Sequence, residues 1–193
     1  ARKQQSNTPT IGKIISSFVL VSKKTFDFLD NNPFVEFHPT EYVNDPFIIA
    51  RHYRMVSMNV AKTIDLTGQV TAEASEQTFF AGVSGIPDFV RGARRSPGGK
   101  SILMLFSTSQ DGQTSNIIPL LEKTPVVVPR GDVHYIVTEY GVASLSGRTV
   151  RERAQALIEI AHPDDRVDLV ADAKRENILY RDQIYLAESA RTY

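Results

Sequence analysis

Apolar and polar positions alternate with two different periods along the chain. GKIISSFVLVS (residues 12–22) is rich in β-branched and apolar residues and predicts a buried strand. KKTFDFLDNN follows with Phe26 and Leu29 at helical spacing, and FVEFHP predicts a second short strand. In NDPFIIARHY, Asn44 or Asp45 can cap a helix whose first position is Pro46, where the missing N–H costs nothing. MVSMNVAKTIDL and QVTAEAS predict two strands joined at Thr67 and Gly68 as a hairpin, and QTFFA and PDFVRGA predict a strand running into a helix. SILMLFSTS, PVVVP and HYIVTEYG are near-continuous apolar runs of the kind found in sheets covered on both faces. TVRERAQALIEIA carries Val150, Ala154, Leu157, Ile158 and Ala161 as one stripe, with Thr149 and Glu152 as a capping box, and RVDLVADAKREN starts another helix after HPDD. The alternation predicts an α/β fold with a mixed, mainly parallel sheet, flanking helices and a hairpin.

Composition narrows this further. A chain of 193 residues, 41% hydrophobic, closes one core, so a single domain is expected. Lys plus Arg and Asp plus Glu both total 22, so no overall field draws the protein to nucleic acid or an anionic membrane, and any anion site is local. With no cysteine, disulfides, thiolate metal ligands and a cysteine nucleophile are excluded. Lacking an apolar run of the roughly 18 residues a span needs, and lacking a secretory signal, the chain reads as intracellular. It opens ARKQQSNTPTIGK, and its first methionine is Met55, which suggests a piece of a longer protein.

The densest chemistry lies in FFAGVSGIPDFVRGARRSPGGKS (residues 79–101). A nucleophile elbow at Ser84 needs glycine two residues on, but Ile86 stands there, and none of His38, His52, His134 or His162 announces itself as a base. Neither phosphate-loop pattern is present, yet Pro87 predicts a helix beginning just after Gly85, whose free N–H groups suit an anion or a developing oxyanion. A plain strand-to-helix turn accounts for the same residues. Arg91, Arg94 and Arg95 with Lys100 fit a capped helix end better than a site for a phosphorylated ligand. Asp132, His134 and Thr138 share one strand face, with Tyr135, Val137 and Glu139 on the other; no further ligand type accompanies them, so no metal is expected. Arg148, Arg151 and Arg153 read as a solvated face.

FVEFHPTEYVNDPFIIAR, DLTGQV, GVSGIPDFVRGA, GGKSILML and DVHYIVTEYGVASLSGRTVRERAQALIEIAHPDDR together resemble the C-terminal domain of the acetyl-CoA hydrolase/transferase family. These are class I CoA-transferases, including 4-hydroxybutyrate and butyrate:acetate CoA-transferases. The resemblance runs from about Gly12 to about Asp172 in the family's order. It implies that residues 1–193 are a C-terminal domain of CoA-transferase (NagB/RpiA-like) fold, with the N-terminal domain absent from this chain. It also implies transfer of CoA between short carboxylic acids through a glutamate that forms an acyl-glutamyl anhydride and then a glutamyl-CoA thioester.

That glutamate belongs to a phrase like GIHTE, expected upstream of residue 1, and Glu36, Glu41 and Glu139 lie in no such phrase. In the glycine loop, Gly82, Val83, Ser84, Gly85, Asp88 and Phe89 fill the family's pattern, with Ser84 and the pair Ile86–Pro87 departing from it. The resemblance makes Gly85 an oxyanion-hole N–H donor near the CoA thioester, and Asn44 a side chain that binds the acyl or carboxylate group. Gly82, Ser84 and Lys100 join them as CoA-side residues, and a Cβ at residue 84 restricts the loop if positive φ is needed there. Coenzyme A or acyl-CoA is then substrate, with no tightly bound cofactor. The implied partners are short carboxylic acids and the N-terminal domain of the same protein, with a homo-oligomer left open. The compartment is cytoplasmic, or mitochondrial in a eukaryote. Two other readings stay open: an acyl-CoA hydrolase of the same family, and a CoA-binding or oligomerisation module without chemistry of its own.

Overall fold

The computed structural model describes residues 11–20, 22–75, 78–79, 82 and 84–184. Strand β1 (Ile14–Ser16), helix α1 (Lys23–Leu29) and strand β2 (Val35–Phe37) form a parallel two-stranded unit, with Ile14 beside Val35. The predicted buried strand of residues 12–22 is therefore short and uncovered: Phe18 is 68% and Leu20 88% exposed, because a two-stranded ladder has no second layer to bury them. Two short helices follow, α2 (Thr40–Val43) and α3 (Pro46–Ala50). Asp45 caps α3 by accepting the Phe47 N–H at 2.7 Å, with Pro46 at the first helical position as the sequence predicts.

MVSMNVAKTIDL divides between two sheets. Strand β3 (Val56–Val60) joins one sheet and β4 (Thr63–Asp65) another, where β4 forms the predicted hairpin with β5 (Val70–Thr71) around Thr67 and Gly68. Asp65, fully buried, fixes that turn by accepting from the Thr67 N–H and hydroxyl, the Gln69 N–H and amide, and the Leu121 N–H. Gly68 sits at φ +97°, and an added Cβ would lie 2.9 Å from Nη1 of Arg153. Strands β6 (Ala74–Ser75) and β7 (Thr78–Phe79) pair antiparallel; the rest of QTFFA, residues 77 and 80–81, lies outside the described residues.

Helix α4 (Ile86–Arg95) then returns the chain to β8 (Lys100–Met104). Strand β9 (Ile117–Ile118) completes the sheet of β5, β4 and β9. The main sheet has the order β11-β10-β8-β3, in which β3, β8 and β10 (Tyr135–Thr138) are parallel and β11 (Gly141–Ser144) is antiparallel. This is the mixed, mainly parallel sheet expected. Helix α5 (Val150–Glu159) starts with the predicted capping box and buries Ala154, Leu157 and Ile158, while Val150 is exposed; α6 (Arg166–Arg175) follows.

Three expectations change. PVVVP forms no strand among the described residues, only a bridge from Val128 to Val70, since each flanking proline lacks a ladder donor. Arg153 is buried, not solvated; it donates to the carbonyls of Arg130 (2.6 Å) and Arg148 (3.2 Å), tying α5 to the loops above it. Asp132 and His134 precede β10, so no shared strand face holds them with Thr138; Asp132 instead pairs with Arg91 at 2.8 Å.

Among the described residues, helices cover one face of the main sheet. Ser57, Ser101, Leu103, Ile136 and Ala143 point toward the helices and are buried. On the other face Val56, Met58 and Val60 of β3 are 45%, 66% and 70% exposed, with Val142 of β11 on the same face at 63%. No described helix is long and apolar enough to cross a membrane.

Candidate functional site

The motif VNDP resolves into a sharp corner. Asn44 closes α2, its N–H donating to the Thr40 carbonyl at 2.8 Å, and Asp45 opens α3. With its backbone committed to the corner, Asn44 keeps its carboxamide free, and that carboxamide lies against Gly85. A Cβ built on Gly85 would come 2.2 Å from Asn44 Nδ2. Gly85 has φ −75°, which any residue adopts, so what glycine supplies here is room for the Asn44 amide and not a special backbone conformation.

Two further contacts hold this approach. Gly92, in the middle of α4, lets α3 pack closely: a Cβ there would meet Ile49 Cβ at 2.5 Å. Because α3 begins two residues after Asn44, that packing sets the distance from Asn44 to Gly85. On the other side Glu73, just beyond β5, accepts the Ser84 N–H at 2.5 Å and anchors the loop. The Ser84 hydroxyl accepts weakly from the Ile86 N–H at 3.4 Å, a local helix-start contact. Ser84 is absent from the residues with positive φ, so its Cβ does not conflict with the loop's conformation. Gly82 is exposed, with open space where a Cβ would go.

Gly85 therefore stands at the N-terminal end of a ten-residue helix. Its N–H has no hydrogen-bond partner among the described residues, nor does the Asn44 carboxamide. Preplaced donors of this kind, at the positive end of a helix dipole, suit a carboxylate or a tetrahedral oxyanion. Asn44 and Gly85 border two clefts. The outer one is rimmed by Glu41, Asp45 and Asp88, whose charges oppose an anion. The inner one, of about 350 Å³, is lined by Ile15, Phe18, Val43, Asn59, Ile86 and Phe89, and offers amide donors with apolar walls.

Other candidates are not brought here. Lys100 lies past the far end of α4, paired in register with Val56 at the start of β3; a CoA chain extended from Gly85 would have to run the length of the helix to reach it. Arg91 is paired with Asp132, Arg94 donates to the Gly131 carbonyl, and Arg95 packs over the Phe47 ring. Those contacts account for the basic run as a structural helix end. Glu139 accepts from the Ser107 hydroxyl (2.6 Å) and N–H (3.0 Å). Desolvation pushes its carboxyl up, but these bonds outweigh it and hold it below the usual value. No group of three or more metal-ligating side chains occurs among the described residues.

Sequence reasoning missed Glu73, Gly92 and Asn59. Gly92 carried a signal, a lone glycine inside a helical pattern; Glu73 and Asn59 act across the fold and carried none.

The family model for the acetyl-CoA hydrolase/transferase C-terminal domain matches residues 22–173. The chain is 46% identical over 165 residues to the 4-hydroxybutyrate coenzyme A transferase of Clostridium kluyveri, covering 85% of this chain and 38% of that protein. Among solved structures, RipA from Yersinia pestis superposes with a TM-score of 0.81 at 40% identity, over 91% of this chain and 38% of that one. The 4-hydroxybutyrate CoA-transferase from Porphyromonas gingivalis gives a TM-score of 0.72 at 42% identity, over 85% and 38%. The chain spans about two fifths of the length of the curated relatives it matches. The matched region contains the Asn44 corner, the glycine loop and the sheet beneath them, and the chain belongs to the acetyl-CoA hydrolase/transferase family, whose C-terminal domain it carries.

Proposed function

We propose that the full-length protein transfers CoA between short-chain carboxylic acids, and that this chain supplies its acyl and oxyanion site. The observation that carries the reading is the Asn44 carboxamide set against Gly85 at the start of α4, with neither that carboxamide nor the Gly85 N–H hydrogen-bonded among the described residues. A glutamate from the polypeptide before residue 1 attacks the acyl-CoA carbonyl, and the C–S bond breaks to release the CoA thiolate and leave an acyl-glutamyl anhydride. The thiolate attacks the glutamyl carbonyl and expels the first carboxylate, leaving glutamyl-CoA. The second carboxylate repeats the sequence in reverse and departs as the new acyl-CoA, restoring the glutamate. Each addition places negative charge on a carbonyl oxygen, where Gly85 and Asn44 donate. Gly82 and Ser84 shape the loop around that oxygen.

In this reading the nucleophile comes from outside the chain, and the isolated domain is a binding half without turnover of its own. The apolar face formed by Val56, Met58, Val60 and Val142 supports a further part of the reading: the rest of the same polypeptide covers it. Relatives more than twice as long supply an occupant of sufficient size. Acyl-CoA supply puts the protein in the cytoplasm, or in the mitochondrion of a eukaryote.

The test is to give the full-length protein acetyl-CoA with and without butyrate. Formation of butyryl-CoA that depends on butyrate supports the reading; acceptor-independent release of CoA contradicts it in favour of hydrolysis.

A further inference from the structure

Asn59 occupies an unusual place in the main sheet. Its register partner is Leu103, a fully buried residue, so its side chain leaves the sheet on the face that α4 covers. It is the last inward-pointing residue of β3, directly below the start of α4, and it lines the inner cleft together with Asn44, Gly85, Ile86 and Phe89. Its Nδ2 is shielded from solvent and has no hydrogen-bond partner among the described residues. An unpaired buried amide is costly, and a leucine or valine would fill the same place on the packed face without that cost. The torsion that turns an asparagine amide about χ2 is soft and roughly two-fold, so a rotation about it presents the N–H to the cleft.

We infer that Asn59 is a third hydrogen-bond donor for the carboxylate of the acid substrate, beside Asn44 and Gly85. The electrostatics select this side of the loop. Glu41, Asp45 and Asp88 border the outer cleft and repel an anion, whereas the inner cleft presents amide donors and the apolar side chains of Val43, Ile86 and Phe89. A carboxylate there accepts from Gly85 and Asn44 on one side and Asn59 on the other, with its alkyl chain against Phe89. Three convergent donors hold a carboxylate in one orientation where two allow it to pivot. Asn59 thereby sets the angle at which the acid's oxygen meets the carbonyl it attacks.

The identity of the ligand as a short aliphatic acid rests on the proposed CoA transfer, so the experiment reads binding apart from turnover. Carbon-13-labelled butyrate is titrated into the full-length protein without acyl-CoA and followed by NMR line broadening, for wild type, Asn59→Asp and Asn59→Leu. Aspartate keeps the shape but replaces the donor with a negatively charged acceptor. Loss of one donor to a charged group predicts binding weaker by about tenfold or more in a variant that still melts cooperatively. If the aspartate variant does not fold, the neutral leucine, which carries no donor, is read in the same titration. Affinity within about twofold of wild type in the folded variant overturns the inference, as does a wild-type protein that binds no butyrate. Binding that depends on Asn59 in a protein that transfers no CoA upholds the inference and refutes the proposed function; CoA transfer with binding indifferent to Asn59 does the reverse.

Discussion

At position 85 the absence of a side chain is what matters: a methyl group would lie 2.2 Å from the Asn44 amide and push it from the cleft. Ser84, the only hydroxyl in the loop, contributes its backbone instead, through the N–H held by Glu73. Ser84→Ala keeps that N–H, and kcat is expected to stay within about threefold of wild type, measured as CoA exchange by the full-length protein. A loss of several orders of magnitude would restore the serine nucleophile. Asn44→Ala removes the donor that the proposed site offers to both the acid and the oxyanion, so it should raise KM for the acid and lower kcat together. The resemblance pointed to Asn44 and Gly85 because VNDP and the glycine loop are continuous in sequence. Asn59 was illegible because its neighbours Val56, Met58 and Val60 look like the inward face of an alternating strand. The structure inverts that alternation, exposing the apolar side chains and turning Ser57 and Asn59 toward the helices.

Between elements, the position of α3 against α4 depends on Gly92, where a Cβ would meet Ile49 at 2.5 Å. Gly92→Ala should force the two helices apart, destabilising the protein by about 1–3 kcal/mol and moving Asn44 from Gly85. Denaturant unfolding and acid affinity should therefore both suffer, although residue 92 touches no substrate. Thr149→Ala breaks the capping box of α5 and is expected to cost about 1 kcal/mol in the same unfolding measurement, with acid affinity unchanged because α5 lies away from the cleft. These local signals, with the Asp45–Pro46 start of α3 and the Gly68 turn, were legible because each is made within a few residues. The division of residues 55–66 between two sheets was not, since it depends on β8 and β9, which enter the chain dozens of residues later. PVVVP read as a strand by composition, yet bonds to a single residue, Val70, across its bridge.

For the whole molecule, one face of the main sheet is exposed at Val56, Met58, Val60 and Val142 among the described residues. If the remainder of the polypeptide covers it, Met58, 66% exposed in this chain, should resist oxidation by peroxide in the full-length protein, as read by mass spectrometry. Oxidation at the rate of an unstructured methionine would contradict that cover. The pH response follows from two histidines. Burial, reinforced by Arg51, lowers His52 below its ordinary 6.5, and burial, with Arg94 and Lys100, does the same for His134. The unfolded chain thus binds more protons below that value, so their contribution to stability is present above about pH 6.5 and is lost as pH falls toward the folded values. Melting temperature should decline over that range, and less so in His134→Gln. The central claim, that Asn44 and Gly85 form the acyl and oxyanion site of a CoA-transferase, is tested most directly by the kcat of full-length Gly85→Ala in acetyl-CoA:butyrate exchange. A fall of roughly a hundredfold or more in a protein that still melts cooperatively is the expected result; exchange at the wild-type rate would contradict it.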